Sequence, residues 1–262
     1  MRTVEAIFSR PWAILPENLE TIVKIASREH DAEALQAKLG KPLEYTRSVT
    51  MRGDTAIIPI HGSIFRYANI FTEISGATST EVLARDISEA ADNPSVSNIV
   101  LEINSGGGQA DGISDLAALI RKTAQLPDKR VVAYVEGIGA SAAYWIASAA
   151  NHIVASKASM VGSIGVVFTL TKGEDDERLE IVSSVSPKKR PDVSTAEGRS
   201  QIQRWADRLG EVFLSDVAEN RGVSYEEAFD LFGQGDMLIA SEALERGMID
   251  EIGTLEGLLE TI

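Results

Sequence analysis

The sequence predicts an α/β fold, with a largely parallel sheet flanked by helices. Two observations carry that class. Apolar, β-branched runs of strand length recur through the middle of the chain. Stretches with apolar residues at helical spacing separate them, and strands alternating with helices of this length need crossover connections, which join parallel strands.

Residues 1–50 read as an N-terminal helical appendage, and 51–262 as the main domain with C-terminal helices. In the appendage, Pro11-Trp12-Ala13-Ile14-Leu15-Pro16 is a rigid apolar element, either a docking element or packed on the core. Leu19, Ile22, Val23 and Ala26 then recur at helical spacing, and 31–39 suits a second short helix. The main domain opens with a strand over 54–62, closed by Gly62, and a loop over 64–78. Residues 79–93 form an amphipathic helix on Val82, Leu83, Ile87 and Ala90 or Ala91. A second strand, 96–103, ends in Asn104-Ser105-Gly106-Gly107-Gly108, before a helix over 111–124. A third strand covers 129–135, and 152–155 is a short fourth. Gly162-Ser163-Ile164-Gly165-Val166-Val167 is a turn running into another strand. Residues 174–177 are a charged, solvated turn, 179–185 are strand-like, and the prolines at 187 and 191 make 186–192 a loop. A long amphipathic helix fills 195–220, and another, 224–232, carries Ser224 and Glu227 at capping-box spacing. Residues 239–247 and 255–262 close the chain.

Composition excludes several classes. Apolar residues make up 44%, enough for a core and too many for global disorder. A net charge of −14 repels phosphate backbones, which excludes nucleic acid as a partner. With no cysteine there is no disulfide, thiol nucleophile or cysteine-ligated metal. The start shows no secretory signal. Residues 131–150 carry one charge, Glu136, but Gly137 and Gly139 divide them into a strand and a helix, each too short to span a bilayer. These features predict a soluble, cytoplasmic protein with no membrane span.

The stretch Val-Val-Ala-Tyr-Val-Glu-Gly-Ile-Gly-Ala-Ser-Ala-Ala-Tyr-Trp-Ile-Ala-Ser, residues 131–148, reads as strand, sharp turn at Gly137 and Gly139, then helix. Ser141 falls at the first helical turn. A hydroxyl there lies beside unpaired N–H groups and the positive end of the helix dipole, which suits a developing oxyanion. The same position equally suits an ordinary N-cap serine. The glycines at 106–108 end the neighbouring strand and expose backbone N–H groups, in the place where α/β folds put their sites. Neither glycine run matches a phosphate-binding pattern, so an oxyanion hole fits better.

A nucleophilic serine needs a base. The histidines are His30, His61 and His152. His30 lies in the appendage, His61 ends a strand, and His152 must reach back across a helix. Gly139, Ser141 and Ala143 resemble a nucleophile elbow, but that fold needs a histidine late in the chain, and none follows His152. Lysine is the other available base, once desolvation or neighbours leave it neutral. Lys188 and Lys189 stand in the proline-bounded loop, where they could also simply face solvent.

Three motifs in order resemble the signal peptide peptidase A family of serine proteases, in its short phage and prophage form. They are Ile103-Asn104-Ser105-Gly106-Gly107-Gly108, Gly139-Ala140-Ser141-Ala142-Ala143-Tyr144 and Gly162-Ser163-Ile164-Gly165-Val166, within a resemblance spanning about 55–253. The resemblance implies a Clp protease/crotonase-like fold and a Ser–Lys dyad. Ser141 matches the nucleophile, and Ser163 the serine that hydrogen-bonds the lysine amine. Lys189 is favoured as the base, with Lys188 the alternative. The N–H groups of Gly107 and Ala142 match the oxyanion hole. Where the related caseinolytic Clp peptidase has its histidine, this chain has Gly165-Val166-Val167. The chain departs from the family at Gly106, usually proline, and at Ser186-Pro187-Lys188-Lys189, commonly Ser-Gly-x-x-Lys.

The resemblance further implies an endopeptidase with no metal or cofactor, acting on peptide or protein in phage-type capsid or scaffold maturation, or in peptide clearance. Family members assemble into rings with the active site near subunit contacts, so a homo-oligomer is expected and Lys189 serves Ser141 within one subunit or across two. The alternatives are a crotonase-like acyl-coenzyme A enzyme, with Glu136 near the motif, and an inactive ring-forming scaffold in which Ser141 is only an N-cap.

Overall fold

A computed structural model describes residues 11–15, 48–68, 77–169, 183–186 and 188–262. Its main sheet is built from the strongest apolar runs: β3 (Thr55–His61), β6 (Asn98–Ser105), β8 (Arg130–Ala140) and β10 (Met160–Gly162). These four pair in parallel in that order. Antiparallel strands β2 (Thr50–Arg52) and β11 (Met237–Ile239) close the two ends, against β3 and β10. β9 (His152–Ala155) adds to β8 beside β10, and β12 (Glu251–Ile252) adds to β9, both in parallel. A second, smaller sheet runs β1 (Trp12–Ile14), β7 (Gly107–Gln109), β4 (Ile64–Phe65), β5 (Thr78–Ser79).

Side-chain alternation buries both faces of the main sheet, as parallel sheets require. Ile58, Ile60, Ile99, Leu101, Ile103, Val131, Ala133 and Val135 face the main core. There they meet α1 (Thr80–Asp92), α2 (Ile113–Ala124) and α3 (Ala142–Ser148). The alternate residues Ile57, Val100, Val132, Tyr134 and Val154 cluster with Leu258 of α7 (Leu255–Leu259). The long helix α4 (Ala196–Arg221) starts at Thr195, whose hydroxyl accepts from Gly198 N at 3.0 Å. The expected capping box forms at α5 (Tyr225–Leu231), with Ser224 and Glu227 bonded reciprocally. α6 (Ala240–Glu245) precedes β12. Among the described residues no helix is long and apolar enough to cross a membrane.

The structure corrects four local expectations. β8 does not stop at Gly137 but runs to Ala140, so the turn falls on Ser141. The glycines serve close packing instead: a Cβ on Gly137 would lie 3.1 Å from Asn104 Oδ1, and one on Gly139 would touch Val135 at 3.0 Å. Around 162–167 the strand precedes the turn, and beyond it Val167 makes an isolated antiparallel bridge to Trp12. In the strand-like 179–185 segment, residues 183–186 form a turn closed by Ser186 N on Ser183 O at 2.9 Å, while 179–182 lie outside the described residues. The loop at 64–78 contains β4 and β5, which hydrogen-bond in parallel. Trp12 packs on the core, fully buried and edge-on to Phe65 at 6.0 Å between ring centres. The helices expected within 16–47, the charge run at 174–177 and His30 fall outside the described residues.

One ion pair ties the end of α4 to the sheet. Arg221 grips Asp250 through two bonds, at 2.6 and 3.0 Å, and Asp250 also accepts from Ile153 N at 2.8 Å. Burial opposes ionisation of Asp250, but Arg221 outweighs it and holds the carboxyl below its ordinary range. A depressed carboxyl contributes stability above its unfolded pKa and loses it as pH falls through the folded one. The midpoint of thermal unfolding is therefore expected to drop below about pH 4. Asp250→Ala should cost about 2 kcal/mol at neutral pH and flatten the acid limb, as read from urea titrations at several pH values.

Candidate active site

Ser141 sits at the junction of β8 and α3. Its φ of 55° and ψ of −121° are unusual for a residue with a Cβ. Such backbone costs about 1–3 kcal/mol and gathers at functional sites. Two main-chain bonds hold it: Ser141 N donates to Gly162 O at 2.7 Å, and Trp145 N donates to Ser141 O at 3.0 Å. The hydroxyl itself caps nothing. It is buried, and among the described residues it has no hydrogen-bond partner. An N-cap serine spends its hydroxyl on the helix, so the ordinary capping role is not what this side chain performs.

The helix behind it is pinned from several sides. Tyr144 donates its hydroxyl to Met248 O at 2.9 Å, and complete burial raises that phenol above its ordinary range. The Trp145 ring stacks on Phe213 at 4.3 Å, and its indole N–H donates to Asp216 Oδ2 at 3.0 Å. Ser114 of α2 donates to the same oxygen at 2.7 Å. These contacts fix α3, and Ser141 with it, which favours a precise reaction geometry.

Gly107 lies against Ser141. A Cβ on Gly107 would sit 3.0 Å from Ser141 Cβ, 3.1 Å from Ala140 O and 2.3 Å from Ala13 O, at a φ of +96°. Only glycine fits that conformation and that space. The Gly107 N–H donates to Ser105 Oγ at 3.1 Å, and Ser105 donates on to Gly62 O at 2.5 Å. Ala142 opens α3, so its N–H belongs to the unsatisfied first turn. Gly107→Ala is expected to destabilise the chain by about 1–3 kcal/mol, read from thermal unfolding, because its Cβ would overlap Ala13 O.

Ser163, also at positive φ (52°), follows the Gly162 carbonyl that anchors Ser141 and donates its own N–H to Asp236 O at 2.8 Å. The structure thus brings Ser141, Ala142, Gly107 and Ser163 to one place. It does not bring the lysines there. Lys188 and Lys189 are exposed on the loop before α4. Their main chain is tied down, with Lys188 O accepting from Gln201 Nε2 at 2.6 Å and Lys189 N donating to Ser186 O at 3.0 Å. Neither amine bonds the Ser141 hydroxyl.

The described histidines do not bond Ser141 either. His152 faces Glu251 at 3.3 Å and Asp250 at 3.8 Å. His61 faces Glu102 at 4.0 Å, and with Glu136 these could hold a divalent metal, their ligand atoms lying within 4.8 Å of one another. Two features of the site escaped sequence reasoning. Ser105 engages the Gly107 N–H; the signal was its place in the Asn-Ser-Gly motif. The strand β1, 93 residues before Gly107 in register with Ile14, lies directly against the site, and nothing local announced that pairing.

Comparison with known proteins bears on this arrangement. The model of the family described as "Peptidase family S49" matches residues 124–181 and 182–262, which include Ser141, Ser163, Lys188 and Lys189. Serine protease SPPA, chloroplastic, of Arabidopsis thaliana is 28% identical over 215 residues, 78% of this chain and 31% of that protein. Capsid assembly protease C of Escherichia phage lambda is 24% identical over 214 residues, 79% of this chain and 48% of that one. The chain spans between about a third and just over half of the curated relatives it matches. Among solved structures, a mutant of the 1510-N membrane-bound stomatin-specific protease in complex with a substrate peptide superposes with a TM-score of 0.52 at 18% identity, over 80% of each chain. That likeness is one of fold, and it agrees with the α/β class expected above. The family match covers more than half of the chain and takes in the strained serine with its helix: the chain belongs to peptidase family S49.

Proposed function

We propose that the chain is a serine endopeptidase working through a Ser–Lys dyad. Ser141 attacks the peptide carbonyl, and the N–H groups of Gly107 and Ala142 receive the developing oxyanion. Lys189 takes the proton from Ser141 and passes it to the leaving amine, and water then releases the acyl-enzyme. Ser163 orients the lysine amine. The observation that carries this reading is the buried Ser141 hydroxyl, strained and without a hydrogen-bond partner, directly beside Gly107.

A lysine becomes a base only when it is desolvated. Lys189 is exposed in the single chain, so the dyad requires its loop to be covered, by closure over Ser141 or by a second copy. A homo-oligomer with the site near subunit contacts meets that need. It is supported by an exposed apolar row, Ile138, Met160 and Ile239, on three adjacent strands. The similarity to the phage lambda capsid assembly protease favours a role in maturing capsid or scaffold proteins, with general peptide clearance the second role.

The test is cleavage of an unfolded protein such as casein, read by mass spectrometry of the products, in the presence of a metal chelator. Chelator-resistant internal cuts are expected. No cleavage together with a thermal shift on coenzyme A would favour a crotonase-like acyl-thioester enzyme instead. No cleavage and no shift, in this chain and in a Trp12→Glu variant alike, would favour an inactive scaffold.

A further inference from the structure

We propose that residues 11–15 occupy the strip in which this peptidase holds its substrate, so that the chain as described is self-occupied and latent. The inference rests on the peptidase reading above and adds the identity of an internal occupant.

The segment is bonded on both edges by the site's own motifs. On one side β1 pairs antiparallel with β7, Ala13 opposite Gly108 and Ile14 opposite Gly107. Leu15 N donates to Gly106 O at 2.9 Å, and Ala110 N donates to Pro11 O at 3.1 Å. On the other side Trp12 and Val167 exchange both main-chain bonds, at 2.9 and 2.8 Å. One flank therefore belongs to the glycine loop beside Ser141, and the other follows Ser163. A five-residue extended chain threaded between two such edges is the strand-addition mode of peptide recognition, in which main-chain bonds give affinity and side-chain pockets give specificity.

The fit is close. The Ala13 carbonyl approaches Gly107 so nearly that any side chain there would collide with it. Trp12, Ala13, Ile14 and Leu15 are all buried, with Trp12 against Phe65, and Ser141, on the other side of Gly107, is 1% exposed. No incoming peptide takes the main-chain bonds of Gly106, Ala110 and Val167 while the segment stays. The Gly107 N–H is meanwhile turned to Ser105 Oγ and not to a carbonyl of the segment, so the occupant fills the strip without being presented for cleavage. The ligand class follows from the occupant: an extended peptide with a large aromatic residue seated by Phe65, then a small residue, then branched aliphatic ones.

The 262-residue chain serves for the test, with Trp12→Glu and Ile14→Asp as two independent ways to release the segment. Binding is read by fluorescence anisotropy of a labelled synthetic Pro-Trp-Ala-Ile-Leu peptide, in a Ser141→Ala background so that cleavage plays no part. Released variants that unfold cooperatively should bind the peptide about tenfold more tightly than the parent. With Ser141 intact they should hydrolyse other peptides about tenfold faster, and added Pro-Trp-Ala-Ile-Leu should inhibit them. In the unmodified chain, excess peptide should speed amide exchange at Trp12 and Leu15, whose N–H groups lose Val167 O and Gly106 O when the segment is displaced, a readout that holds even if both variants fold poorly. Unchanged binding and rate in folded variants, or unchanged exchange in the parent, would overturn the proposal while leaving a Ser141-dependent peptidase standing. Tighter peptide binding with no hydrolysis in any variant would uphold the occupant and sink the peptidase reading.

Discussion

Ser141→Ala is expected to lower peptide hydrolysis by about 10⁴-fold or more. The nucleophile is the one group for which neither the oxyanion hole nor substrate binding substitutes. The expectation is sharper for having an opposite sign in stability. The Ser141 hydroxyl is buried without a partner among the described residues, and an unsatisfied buried hydroxyl costs about 1–3 kcal/mol. Alanine keeps the backbone geometry and removes that cost, so the variant should melt at the same temperature as the parent or higher. Activity read against a thermal unfolding curve distinguishes this from a folding defect. An inactive variant that also melts well below the parent would mean that the hydroxyl has a structural role.

Lys189→Ala should lower hydrolysis by about 10³-fold, while Lys188→Ala stays within a few-fold of the parent. Lys189→Arg should not rescue, because a guanidinium keeps its charge and cannot accept the serine proton. The exposed position of the loop adds a second arm. If the amine serves a neighbouring subunit, mixing inactive Ser141→Ala with inactive Lys189→Ala restores activity, and specific activity rises with protein concentration. If it serves its own subunit, the mixture stays inactive. A large loss in Lys188→Ala with none in Lys189→Ala would move the base by one residue.

Much of the fold was legible because parallel strands are buried on both faces. Residues 56–60, 99–103 and 131–135 therefore read as near-continuous apolar runs, broken only by Glu102, and the helices between them carried clear periodicity. Ser141 and Gly107 were legible for a different reason: small residues in fixed order are needed where main chains approach closely. What failed was local. Gly137 and Gly139 signalled a turn, but Asn104, Val135 and Val161 pack where their side chains would have been, and the strand continues. The strand at Trp12 was legible as apolar but not as a strand of the site, because its partners, Gly108 and Val167, are remote in sequence. The lysine is proposed only through family resemblance. Nothing in the spacing of Lys188 and Lys189 relates them to Ser141, and among the described residues no hydrogen bond joins that loop to the hydroxyl.

The most direct test is to trap the acyl-enzyme. A peptide p-nitrophenyl ester acylates a nucleophilic serine faster than water clears it, giving a burst of nitrophenolate and a mass increase on the protein. The reaction is run on the parent and on Trp12→Glu, quenched in acid, and mapped by peptide mass spectrometry. The acyl group should lie on Ser141, with a faster burst in Trp12→Glu and no adduct in Ser141→Ala. Ester or peptide turnover that persists in Ser141→Ala, or an adduct on any other residue, would contradict a nucleophile at this position.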